Sequence, residues 1–412
     1  MIARTSAFAF KDKNQDVREI ARVLDVVNIL EGSVRKAGNR IRVTAQLITA
    51  ANGSHLWSER YDRDLTDIFA IQDDIAAAIA DALQVKLSAG PAARRRHAPT
   101  PAAYEAYLKA RYHWGKPWPE SLARCKEHLE QAITLAPDFA LAHCGYADHF
   151  LFSASIGYLP AREAMPVVRE EARKALEIDP SLPEAHGMLG NVAALYDFDW
   201  KEAKRRFHLA MAHDPVPPRV RQWYGWMYLM PMGRAAESLK QIELGVQEDP
   251  LNSIARQSLG IALLIVGRLA DAQAELHKGL EFEQSQGDPH AYLAMTYARQ
   301  EKWAEALHFA ERASPMKPGN VGILAGVLKR MGQENRAEEL IQKLMPGEAY
   351  GAPSGLSLFY FVCGELDRAA EWWEKVIEQR FPAIQLTALI CSRSSPRWPR
   401  IAELMNLPEE AR

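Results

Sequence analysis

At 412 residues the chain is long enough for about two or three domains, and 48% hydrophobic with 25% charged residues describes a globular protein. A formal net charge of −2 leaves no basic excess to hold a nucleic acid, and residues 1–90 carry 12 basic and 12 acidic residues, so no charged arm hides in the average. Cys125, Cys144, Cys363 and Cys391 form no CxxC pair and no zinc spacing, no apolar run approaches the ~20 residues of a membrane helix, and the start MIARTSAFAFKDK lacks the apolar core of a secretory signal. These features predict a cytoplasmic protein with no membrane span, no metal and no nucleic-acid partner.

Taken in chain order, DVREIARVL (16–24) is a short amphipathic helix. VVNILEGSVRK (26–36) and RIRVTAQLITA (40–50) are rich in β-formers and are separated by Ala37-Gly38-Asn39, a hairpin signal. In the second, Ile41, Val43, Ala45 and Leu47 alternate with Arg42, Thr44 and Gln46, the period of a half-buried strand. Asn52-Gly53 marks a second turn, and HLWSERYDR is a third strand. LTDIFAIQDDIAAAIADALQVKL is then a helix with Ile68, Ile71, Ile75, Ile79 and Leu83 on its apolar face. The layout is an α+β domain over residues 1–87, with a partial antiparallel or mixed sheet and helices. SAGPAARRRHAPTPAAY has no helical stripe until about Pro101, so 88–100 reads as a linker. Arg94-Arg95-Arg96, the longest basic run, lies inside it.

Residues 101–381 are dominated by a repeat. Prolines fall at 137, 180, 215, 250 and 318, with gaps of 43, 35, 35 and twice 34; Gln284 stands at the missing mark. Five residues before the marks stand Ala132, Ala175, Ala210, Gly245, Gly279 and Ala313. Ten residues after them stand Ala147, Gly190, Gly225, Gly260 and Ala294. A period near 34 makes two helices and a tight turn per unit, and the small-residue columns let paired helices approach closely. The 43-residue unit carries extra residues near FLFSASIGYLP, in a longer helix or a longer loop. Residues 382–412 form a C-terminal cap or tail.

WAEALHFAERASPMKP and LGIALLIVGRLADAQAELHKGL resemble the tetratricopeptide repeat (TPR). GQENRAEELIQKL and GELDRAAEWWEKV keep its second-helix pattern, although the first helices after residue 318 depart from it. The resemblance implies an all-α solenoid whose first helices line a concave surface. The front of the chain is similar to the TolB-like, FlgO-like domain through RTSAFAFK, DVREIARVL, LEGSVRKAGNRIRVTAQLITAANGSHLWSERYDRDL and DIFAIQDDIAAAI. That family has a first strand and helix ahead of the position of Arg4, so the resemblance implies a truncated domain with an exposed sheet edge. In bacterial proteins of this kind a TPR array follows the domain, and a winged-helix domain or an adenylate cyclase domain often precedes it.

Catalytic motifs are missing from the sequence: no GxxxxGK[ST] loop, no GxGxxG after a strand, no HExxH and no GxSxG. Asp73-Asp74 and the His143–Cys144 pair are adjacent on helices, where neighbours diverge by about 100°, so neither composes a site. The sequence therefore predicts a chain with no catalytic residue and no cofactor.

One stretch stands out as a binding candidate. RQWYGWMYLM (221–230) packs two tryptophans, two tyrosines and two methionines into ten positions of a first helix spanning 217–230. Trp223, Trp226 and Met230 share one helical face, with Arg219 and Gln222 beside it; Tyr224 and Tyr228 share another and are expected to pack on the partner helix. The family's geometry points the tryptophan face into the concave groove, with Asn191, Ile261, Tyr292 and Met295 at equivalent positions on neighbouring units. Two readings stay open: an aromatic patch for a partner, or core packed under the insertion or a neighbouring unit. The reading carried forward is a protein or peptide ligand on the groove of a bacterial signalling scaffold or sensor arm. Its rival is a regulatory fragment of a multidomain adenylate cyclase or transcriptional regulator whose effector lies upstream of Met1.

Overall fold

The computed structural model describes residues 2, 6–7, 9–10, 15–38, 40–64, 71, 74–75 and 77–79, and 99–412 apart from 115, 117, 282–288, 314–316, 384–385 and 392. The expected linker 88–100, with Arg94–Arg96, falls almost wholly outside these residues, as do Arg4, Ile68, Asp73, Leu83 and Gln284. The chain divides into two compact units, one of residues 1–108 with 131–139 and one of 109–130 with 140–412.

In the first unit, helix α1 (Val17–Leu24) is capped by Asp16, whose carboxylate accepts from the Arg18 amide. Three antiparallel strands follow, β1 (Asn28–Ala37), β2 (Arg40–Thr49) and β3 (His55–Asp64), in spatial order β1-β2-β3. The alternation read in β2 holds: Ile41, Ala45 and Leu47 are buried, while Arg40 and Arg42 point outward and share Asp62 across the sheet. Ile41, Tyr61 and Ile71 form the small core, with Val43, Trp57 and Ile75 packed against it. Strand β1 lies open along most of its length, with Leu30 and Val34 exposed.

Helices α2 (Pro101–His113) and α3 (Pro119–Leu135) come next. From residue 140 the second unit stacks seven helix pairs. The first helices are α4 (Ala140–Ser155), α6 (Pro183–Val192), α8 (Pro218–Trp223), α10 (Ser253–Ile265), α12 (Pro289–Arg299), α14 (Pro318–Arg330) and α16 (Ala352–Cys363). The second helices are α5 (Ala161–Ile178), α7 (Trp200–Met211), α9 (Ala235–Glu248), α11 (Leu269–Glu281), α13 (Trp303–Ala310), α15 (Glu334–Leu344) and α17 (Leu366–Glu378). The small-residue columns do what the period demands. A Cβ on Gly190, Gly225 or Gly260 would meet Phe207, Ile242 or Leu276, the large residue that each unit's second helix lays into the gap. The 43-residue unit spends its extra residues on both helices, 16 residues in α4 and 18 in α5.

Two first helices do not end as regular α-helix. A π turn continues α6 over Ala193–Asp197, and another continues α8 over Tyr224–Leu229, where the Met230 amide bonds the Gly225 carbonyl at 2.9 Å. A π turn widens the helix by nearly a residue per turn and so changes which side chains share a face. Tyr224 and Tyr228 consequently stack, with ring centroids 5.7 Å apart and planes within 8°.

The C-terminal residues add α18 (Thr387–Ile390), α19 (Trp398–Leu404) and a closing 3-10 turn (Glu409–Ala411). They are more than a cap on the last pair. Leu386, Ile390, Trp398, Ile401, Met405 and Leu407 belong to the same apolar cluster as the units between 147 and 264.

Candidate interaction surface

The aromatic helix supplies the candidate site, and its residues are largely buried. Trp223 is 7% exposed and Trp226 5%, the burial that the core reading of this stretch requires. Met230, Gln222, Asn191, Ile261 and Met295 are buried as well, and only Arg219 and Tyr292 keep part of their surface open. The reason is close packing between successive first helices. Trp223 lies flat on α6, where a Cβ on Gly187 would come within 2.8 Å of its ring. Gln222 turns to the second helix of its own pair, beside Gly245. Ile261, Tyr292 and Met295 sit on the next two first helices, within or against the same cluster. The tyrosines do pack on a helix as expected, but it is α7 of the preceding pair: Phe207 lies 5.9 Å from Tyr224 and 6.3 Å from Tyr228.

A polar bridge crosses this surface. Arg219 Nη2 donates to Asp148 Oδ1 at 2.7 Å, and its guanidinium stands 5.1 Å from the Trp223 ring centre. Trp114 Nε1 donates to the other Asp148 oxygen. Asp148 is 1% exposed, and the Arg219 and Trp114 hydrogen bonds offset the cost of burying its carboxyl group. The bridge joins α4 to α8 and skips the pair between them. Among the described residues, neither amide atom of the fully buried Asn191 finds a hydrogen-bond partner, and neither does Arg219 Nε.

Other candidates for chemistry resolve into structure. His143 does not serve Cys144; its Nδ1 pairs with Glu171 Oε2 at 2.6 Å, and burial pushes the Cys144 thiol well above its ordinary range. Among the described residues no group of three or more His, Cys, Asp or Glu side chains could hold a metal ion, and no helix is long and apolar enough to cross a membrane. Asp74 is exposed on a helical residue.

His149, one residue beyond Asp148, gives the surface a pH dependence. Burial pushes its pKa down to about 4, below the ~6.5 of an unfolded chain. Between these values the unfolded chain takes up a proton that the folded one refuses. The stability tied to neutral His149 is therefore complete above pH 6.5 and drains away as pH falls through that window. Urea unfolding at pH 7.5 and 4.5 should show wild type losing ~2 kcal/mol more than His149→Gln. Equal losses in the two proteins would remove His149 from the account.

Comparison with known proteins adds the following. No family model matches the chain. It is 44% identical over 145 residues to a candidate adenylate cyclase of Rhizobium meliloti, adenylate cyclase 3, a match covering 35% of this chain and 25% of that protein. It is 27% identical over 149 residues to the transcriptional regulator HilA of Salmonella typhimurium, covering 36% and 27%. The chain thus spans about a quarter of the length of the curated relatives it matches. Among solved structures, the human IFIT1 dimer with m7Gppp-AAAA aligns over 76% of this chain and 78% of that one, at 13% identity and a TM-score of 0.51. At that identity the likeness concerns the fold alone. The crystal structure of YrrB, a TPR protein with an unusual peptide-binding site, is also similar, covering 53% of this chain and 99% of that one at 20% identity and a TM-score of 0.31.

Proposed function

We propose that this chain is a non-enzymatic interaction array, a scaffold or sensor arm of bacterial signalling that holds a partner protein or peptide on the inner surface of its first helices. The observation that carries this reading is the Arg219–Asp148 bridge between alternate units, which ties together a surface made of preformed first helices. A receptor ordered before its ligand arrives spends little binding energy on its own folding. Arg219 and Tyr292 are the groups a partner meets first on this reading. Trp223, Trp226, Met230, Gln222, Asn191, Ile261 and Met295 form the floor beneath them. Residues 1–87 are read as a TolB-like domain, and the location as cytoplasmic.

Arg219→Glu sets two like charges against each other at Asp148 and should abolish capture of a partner identified by mass spectrometry. Asn52→Asp, on an exposed turn of the sheet, should leave capture intact. Loss with both, or with neither, would contradict the reading.

The matches to an adenylate cyclase and to a transcriptional regulator favour a second reading, that the array is the regulatory portion of such a protein. On either reading the purified chain should neither cyclise nor hydrolyse ATP. Turnover that survives repurification and exceeds a denatured control would overturn both. A change in the rate of a separately purified adenylate cyclase catalytic domain on adding the chain would favour the second.

A further inference from the structure

The C-terminal residues make contacts that stacking does not require. They cross the turns that join first to second helix in three successive pairs. At the earliest turn, a Cβ on Gly157 would come 3.6 Å from the Phe381 ring. At the middle turn, Trp200 Nε1 donates to the Met405 carbonyl at 2.7 Å, and Asn406 Nδ2 donates to the Phe198 carbonyl at 3.1 Å. The Arg380 guanidinium stands 3.9 Å from the centre of the Phe198 ring. At the last turn, Arg393 reaches the Pro231 carbonyl at 3.4 Å and lies over Gly233. Phe198 itself has φ 55°, a left-handed conformation that a bulky residue adopts only when its surroundings impose it. The two π turns end at the second and third of these turns.

We propose that the described residues of 380–412 form a strap bound in cis to a docking edge made of these three turns, and that the edge is a receptor for a short amphipathic helix of the strap's chemistry. The structure supplies the occupant and so defines the ligand. Trp398, Ile401, Ala402 and Met405 form one buried stripe at spacings of three and four, while Pro399, Arg400 and Glu403 face outward. After the stripe comes Asn406, whose φ of 48° turns its side chain back onto the Phe198 carbonyl. A partner segment with an apolar stripe of this spacing followed by Asn, or by Gly with a donor beyond it, meets the same groups. Release is within reach because the strap's helices are only four and seven residues long, too short to persist without the edge. Opening then occurs locally, without unfolding the array. The inference deepens the interaction reading by naming a site and its built-in competitor.

Hydrogen exchange on the full chain tests it. Amides of 398–411 should exchange at least ~10-fold faster than those in the middle of α14 and α16, which open only with the array. Replacing Asn406 and Arg393 together with alanine removes two of the strap's hydrogen bonds and should speed exchange in 398–411 by a further ~10-fold, with α14 and α16 unchanged. A labelled peptide of residues 393–412 should bind this double variant and leave wild type, whose edge is filled, untouched. Equal exchange rates in strap and array of the wild-type chain would overturn the proposal without any variant, as would a variant that opens and yet refuses the peptide. A wild-type chain that exchanges its strap with a second copy, seen as a dimer, would overturn the cis assignment. These readouts need no partner, so failure of partner capture leaves them standing.

Discussion

Alanine at both Trp223 and Trp226 should leave the array largely unfolded at 25 °C. Each buried tryptophan is worth ~3–5 kcal/mol on truncation, and a domain is usually stable by only ~5–15. The two losses will not simply add, because both rings sit in one cluster on one short helix. Trp223→Ala also strips the stacking partner from Arg219 and opens a void against Gly187. Tyr224→Ala, whose half-buried ring leans on Phe207, should cost less than either tryptophan. Circular dichroism melts and urea midpoints of the three variants decide the matter. A double variant that unfolds with wild type would put both rings in water and restore the open aromatic patch suggested by the sequence.

The architecture was legible because it is written as period. Strands β1 to β3 follow from alternation and two turn signals, and they begin and end within two residues of the segments read from the sequence. The helix pairs follow from small-residue columns, since a stacked unit has no other way to seat Phe207, Ile242 and Leu276. The burial of the tryptophan face is not legible, because helical spacing groups Trp223, Trp226 and Met230 without saying what covers them, and the π turn over Tyr224–Leu229 shifts the side chains after Trp223. Gly187, the small residue that admits the Trp223 ring, lies outside both columns and so carried no signal.

Contacts between distant elements were hidden for a different reason. Asp148 could be recognised as a lone acid near the middle of an apolar first helix, but nothing local says that its cation stands 71 residues away. The strap is further still, with Met405 standing 205 positions from Trp200. Closing the stack on its own tail depends on the pitch accumulated over several pairs, and pitch is set by every interface at once. Trp200 offered a weak hint: a tryptophan at the first position of a second helix needs somewhere to place its N–H when buried.

The units after residue 318, whose first helices depart from the repeat pattern, carry the strongest steric prediction. Gly322 on α14 faces Gly355 on α16 so closely that a Cβ at 322 would stand 1.8 Å from the Gly355 carbonyl oxygen. Gly319 and Gly326 lie on the same face, against Leu358 and Val362. The departure from pattern is thus a change of interface: these first helices meet backbone to backbone instead of through side chains. A backbone carbonyl cannot swing aside as a flexible side chain can, so Gly322→Ala must push two helices apart. Its cost should exceed the ~1–3 kcal/mol usual for an overfilled core. Because stability in a repeat stack is shared between neighbours, the damage should begin in 318–378 and show there first as faster hydrogen exchange. Gly279→Ala is the matched control. It sits inside α11, and among the described residues no neighbouring element comes nearer than 3.7 Å to the added carbon, so better helix propensity should leave the protein unchanged or up to ~1 kcal/mol more stable. If the two alanine variants melt together, α14 and α16 have room between them, and the glycines serve some purpose other than close approach.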